Sequence, residues 1–161
     1  MKIASIIIFI AVLLFIQIGI LTQIEILGVY PNLILLSVLS LVIVRGWRKS
    51  FGWIVFSGLF LDLYSLQNIV GTAVLAIIMS SALISFLIQR FFRKTNSISL
   101  LVAFFFSIVF YEILLIIFLR IFGIDPNFSL ASFSIKIVYN IVFALPIFHL
   151  IKFYVGKFWK I

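Results

Sequence analysis

Apolar runs separated by short polar breaks fill the chain from Ile3 to Val155. They lack the alternation of a half-buried strand, and they lack the polar stripe of a helix that lies against water. They read as helices apolar on every side. A helix needs about 20 apolar residues to cross a hydrocarbon core of about 30 Å. Six runs are candidates: 3–21, 30–44, 51–66, 69–88, 98–121 and 134–155. The second and third are short. As a re-entrant hairpin they would carry Arg45, Arg48 and Lys49 to mid-bilayer, at about 2.5–3.5 kcal/mol for each basic residue. As two short spans they need only local thinning and snorkelling of Arg45 and Lys49, at fractions of a kcal/mol per Å. Full spans are predicted.

Charge supports that count. With six spans, Lys2, the Arg45–Lys49 break, the Arg90–Lys94 break and Lys152, Lys157 and Lys160 share one side, which gathers ten of the twelve basic residues. Arg120, Lys136, Glu25, Asp62 and Asp125 fall on the other. The positive-inside rule makes the basic side cytoplasmic, so both ends of the chain face the cytoplasm. Trp47, Trp53 and Trp159 sit at that interface, with Tyr30 and Tyr64 at the opposite one, as interfacial anchors.

Composition narrows the class further. Hydrophobic residues make up 66%, charged residues 10%, and mean hydropathy is +1.43. A soluble domain carries nearer a quarter charged residues. A net charge of +8 would suggest nucleic acid in a soluble protein. Here topology accounts for it, and no nucleic acid partner is expected. No cysteine is present, so there is no disulfide framework or thiolate chemistry. One histidine and four acids make neither a metal cluster nor an acid–base centre. P-loop, GxSxG, HExxH and aspartate-rich phosphotransferase patterns are absent from the sequence. No cofactor and no enzymatic activity are expected. The apolar run after Lys2 lacks a small-residue cleavage site and reads as an uncleaved first span. With no long loop and no repeat, residues 1–161 are expected to form a single transmembrane bundle.

Several polar residues lie inside the runs. Glu112, in the fifth, is a functional candidate because an ionisable group at membrane depth is costly. The structural alternative is a protonated carboxyl bonded to a neighbouring helix. Asn140 lies at similar depth in the sixth span, so a Glu112–Asn140 bond is expected, worth about 0.6 kcal/mol. Asp62 ends the third span, and its plain reading is a helix-end carboxylate in the headgroup layer. Gly58, four residues earlier, shares its face and would let a neighbour approach. Pro31 and Asn32 open the second span, where proline loses no hydrogen bond and Asn32 can satisfy free backbone groups. Pro146 should kink the sixth. Thr72, Ala76 and Ser80 form a small-residue packing stripe on the fourth. His149 has no partner in the sequence pattern and reads as a packed side chain.

In order and spacing these features resemble the MreD family, the rod shape-determining membrane proteins of bacteria. The resemblance rests on Tyr30-Pro31-Asn32-Leu33-Ile34-Leu35-Leu36, the short basic loop Arg45–Lys49, and Gly58-x-x-x-Asp62 running on to Leu63-Tyr64-Ser65. Gly71 opening the fourth span and Tyr139-Asn140-Ile141-Val142-Phe143-Ala144-Leu145-Pro146 complete it. The chain departs from the family at Leu66-Gln67-Asn68-Ile69, where a glycine-rich turn is usual, and at Glu112, which has no family counterpart. The resemblance implies a non-enzymatic scaffold in the bacterial inner membrane, within the complex that elongates the lateral cell wall. It implies an MreC-like membrane partner, with MreB, RodA and its transpeptidase partner in the wider complex. Pro31, Asn32, Gly58, Asp62, Gly71, Asn140 and Pro146 are its motif residues.

The basic breaks at Arg45, Arg48 and Lys49 and at Arg90, Arg93 and Lys94 either face anionic lipid or an acidic partner, or only set topology. Reversing both to glutamate while an orientation reporter stays correct separates these readings. A rival function is the substrate-binding subunit of an energy-coupling-factor vitamin transporter. Such subunits typically carry an Ala-x-x-x-Ala patch in the first helix. Here that span has only Ala4 and Ala11. A third reading is an ion-translocating subunit built around Glu112.

Overall fold

The structure, a computed structural model, describes residues 12, 15–20, 29–64, 71–91, 96–125 and 129–158. They form five α-helices: α1 (Leu33–Arg45), α2 (Trp47–Tyr64), α3 (Thr72–Arg90), α4 (Ser97–Ile121) and α5 (Leu130–Phe158). A π-helical turn, Ile16–Ile20, precedes them. The expected first span otherwise lies outside the described residues, as do Arg93, Lys94 and the Leu66–Ile69 segment. Thr72–Arg90, Ser97–Ile121 and Leu130–Lys157 are long and apolar enough to cross a membrane, and Leu33–Arg45 is apolar but shorter.

α1 is the centre of the bundle. It packs against α2, α3 and α5, and Leu35, Leu36 and Leu39 are fully enclosed. A helix apolar on all sides has no face to offer water, so it is wrapped by the others. The remaining core comes from Ile54, Ala76, Ile77, Ile84, Phe104, Ile108, Ala144 and Phe148. Outward-facing residues are also apolar: Phe106 is 53% exposed, Val142 64% and Phe153 68%. A surface of this kind suits lipid rather than water.

Helices consecutive in the chain run antiparallel. Gly58 of α2 meets Val74 and Ile77 of α3, while Trp47 Nε1 donates to Ser81 Oγ at 3.2 Å. Ring contacts join Phe104 of α4 to Phe148 of α5, and Glu112 pairs with Lys136. The Trp47 bond corrects its reading as an interfacial anchor alone, because its N–H ties the start of α2 to the middle of α3.

Three boundaries differ from expectation. Arg45–Lys49 is not a loop: Arg45 ends α1, Arg48 and Lys49 lie in the first turn of α2, and Gly46 alone joins the two helices. Gly46 makes the break at φ 85°, a region that favours glycine. Ser50 closes the joint by donating to Gly46 O at 2.9 Å and Leu41 O at 3.3 Å. Pro31 stands before the helix rather than in its first turn, because Asn32 is the N-cap. α5 begins at Leu130, a full turn before the apolar run, and passes unbroken through Pro146.

Candidate functional site

α1 has 13 residues and is about 20 Å long, well short of the bilayer core. Its first turn starts level with Tyr111 of α4 and Asn140 of α5, deep beside two longer helices. The first backbone N–H groups of any helix lack partners within it. Away from water, such groups must be satisfied by the protein.

Side chains from three segments do this for α1. Asn32 Oδ1 accepts from Leu35 N at 2.9 Å. Gln17 Oε1 accepts from Ile34 N at 3.0 Å. Asn140 Oδ1 accepts from Asn32 N at 2.8 Å, while its Nδ2 donates to Lys136 O at 2.8 Å. Asn140 is fully buried and Gln17 is 2% exposed. Tyr111 is buried, 2% exposed, on the face of α4 that also carries Glu112's buried carboxylate.

α3 starts in the same manner, with a carboxylate in place of the amides. Asp62 Oδ2 accepts from Gly71 N at 2.8 Å and Val74 N at 3.3 Å. Oδ1 accepts from Ala73 N at 2.8 Å and the Thr72 hydroxyl at 3.4 Å. Asp62 is 3% exposed, so the carboxylate at the end of α2 is enclosed by the bundle. A negative group at a helix N-terminus meets both its free donors and the positive end of its dipole. Gly71 turns the chain into α3 at φ 109°. Gly58 lets α2 and α3 come together, since an added Cβ there would sit 2.6 Å from Val74 Cα. Thr72, Ala76 and Ser80 are all buried along α3.

Glu112 and Lys136 complete the layer, with Lys136 Nζ 2.8 Å from Glu112 Oε2. This replaces the expected Glu112–Asn140 bond. Lys136 lies one turn before Asn140 on α5 and brings a charged donor, which a carboxylate prefers to an amide. Asn140 is held by Asn32 instead. Glu112 Oε1 is buried without a partner.

The structure thus brings Pro31, Asn32, Gly58, Asp62, Gly71, Glu112 and Asn140 to one half of the bundle. Pro146 lies apart, exposed on α5. Arg45, Arg48, Lys49 and Arg90 lie at the other end. Gln17, Tyr111 and Lys136 were missed as members of this layer. For Gln17 a signal existed: it is the only carboxamide in the apolar run 3–21. Among the described residues, no three His, Cys, Asp or Glu side chains gather to hold a metal ion.

Long apolar helices, an apolar exterior and polar side chains turned onto the chain's own helix starts define a helical membrane protein. Over residues 1–154 the chain matches the family described as rod shape-determining protein MreD. That match covers nearly the whole chain, which therefore belongs to the MreD family and has its role in rod-shape determination. No curated protein and no solved structure matches it.

Proposed function

We propose that the protein is a non-enzymatic scaffold of the bacterial cell-wall elongation complex, maintaining rod shape by binding partner membrane helices. Residues 1–161 form one bundle of six spans in the bacterial inner membrane, with both ends cytoplasmic. The first partner is an MreC-like membrane protein. MreB, RodA and its transpeptidase partner belong to the wider assembly.

Family membership supports the process, and the occupied helix starts support the mechanism. In many transporters, half-helix N-termini at mid-depth point at a bound anion. Here the corresponding N–H groups of α1 and α3 are taken by Asn32, Gln17, Asn140 and Asp62. Polar groups that a substrate would need serve internal architecture. In this reading the motif residues set helix register, and the rigid apolar exterior is the working surface. Glu112 is a tie between α4 and α5.

Affinity purification of a C-terminally tagged copy from native membranes, followed by mass spectrometry, tests the proposal. The expected result is recovery of an MreC-like protein and wall-elongation enzymes, unchanged in the Glu112→Gln variant. Recovery of ATPases with a shared coupling subunit would overturn it in favour of a transporter. Loss of rod shape in Glu112→Gln with partner recovery intact would favour ion translocation.

A further inference from the structure

Among the described residues the bundle encloses two carboxylates, Asp62 and Glu112, which are 3% and 4% exposed. They are not equally satisfied. Both oxygens of Asp62 accept hydrogen bonds from the start of α3. Glu112 Oε2 takes the Lys136 ammonium at 2.8 Å, but Oε1 is closed off from the surface with no donor against it. A carboxylate oxygen left bare in apolar surroundings is costly, so a donor must come to it.

The site specifies that donor in three ways. It must be small, because Oε1 is enclosed and a partner's side chain could reach it only by parting α4 from α5. It must be neutral, because Lys136 already balances the charge of Glu112. A metal ion or a second ammonium would leave a net positive charge buried without compensation. It must also accept, because an ammonium carries three N–H donors and Lys136 gives one of them to Oε2. Water has all three properties, and a buried water typically makes about three hydrogen bonds to polar groups around it. The way in is on the lysine side, since the Lys136 side chain is 35% exposed and that of Glu112 only 6%.

We propose that the Glu112–Lys136 pair binds one water molecule, which donates to Glu112 Oε1 and accepts from Lys136 Nζ. The tie between α4 and α5 is then a bridge of three parts rather than two. The inference rests on the ion pair and its enclosure, and it holds whichever partner helices the bundle meets.

The chain itself supplies the means of testing this. It has two glutamates, Glu25 and Glu112, and two aspartates, Asp62 and Asp125. Glu25→Gln combined with Asp125→Asn leaves one side chain of each kind, both buried. Carbon-13 at the side-chain carboxyls then gives one signal for Glu112 and one for Asp62. Solid-state NMR of this full-length variant in lipid bilayers reads the transfer of magnetisation from water to each carbon. Glu112 should gain signal several-fold faster than Asp62, whose oxygens are filled by the protein. A rate for Glu112 no faster than that for Asp62 would overturn the proposal. Lysine protons that exchange with solvent can carry the same signal, so a second measurement fixes the source. A crystal structure of the wild type grown from a lipid mesophase should show a density peak within hydrogen-bond distance of both Glu112 Oε1 and Lys136 Nζ. A bare Oε1, or an Oε1 bonded directly to a side chain, would overturn the proposal even where transfer is fast. A peak that gains anomalous signal on soaking with thallium would overturn it too, because the occupant would then be a monovalent cation.

Discussion

Asp62 binds three backbone N–H groups of the helix start that follows it, and no other side chain in the described structure does as much. Asp62→Ala leaves those donors buried and unpaired. We expect a loss of roughly 2–4 kcal/mol, the range for a cap combined with charge-assisted bonds. Asp62→Asn keeps one oxygen as acceptor and should lose less. Asp125→Asn, at an exposed position, should stay within about 0.5 kcal/mol of wild type. Reversible unfolding in mixed detergent micelles ranks the three, and a wild-type midpoint for Asp62→Ala would remove the carboxylate from the account. At this scale the sequence singled out Asn32, Asp62, Glu112 and Asn140 for a simple reason: a polar group in an apolar run is costly unless it is hydrogen-bonded. Their partners were not legible. Asn32 and Asn140 are 108 positions apart, and helix rotation decides whether Glu112 meets Asn140 or Lys136, one turn away.

α2 and α3 illustrate what an element needs in order to pack. Their axes approach at Gly58, where any side chain would press on Val74 Cα. Gly58→Ala should force the helices apart and cost about 1–3 kcal/mol, as overpacking does. Gly52, on the same helix, has nothing within 4 Å of an added Cβ. Gly52→Ala should therefore be neutral or stabilising, since alanine favours the helix by about 1 kcal/mol. Thermal unfolding of the two variants side by side separates close approach from simple helix propensity. Equal midpoints would mean that the approach carries no weight. Four of the expected spans, 30–44, 51–66, 69–88 and 98–121, correspond to α1 through α4, and the run 134–155 to α5. Boundaries shifted where residues outside the expected runs continue a helix: Arg48 and Lys49 extend α2, and Leu130–Phe133 extend α5. Hydropathy marks where lipid contact starts, whereas backbone hydrogen bonds mark where the helix starts.

For the whole molecule, the antiparallel order of successive helices sorts charge by end, with Arg45, Arg48, Lys49, Arg90, Lys152 and Lys157 at one and Asp62, Glu112 and Asp125 in the other half beside Arg120 and Lys136. The chain has no cysteine, so single thiols can be introduced into an unaltered background. Arg48→Cys should react with a membrane-impermeant maleimide only after the inner face is opened, and Asp125→Cys should react in intact cells. Labelling of both from the same side would end the proposed topology. The sorting was legible because it follows from counting runs. The depth at which α1 and α3 begin was not, because hydropathy carries no information about which backbone donors are already satisfied.

The reach of those bonds has a consequence in time. α1 is fastened at its start by Gln17, which the ribosome makes earlier, and by Asn140, which it makes much later. A nascent chain that has reached only α4 holds a short helix whose leading peptide group still wants its acceptor. The full set of bonds at the start of α1 can therefore close only after α5 has been made.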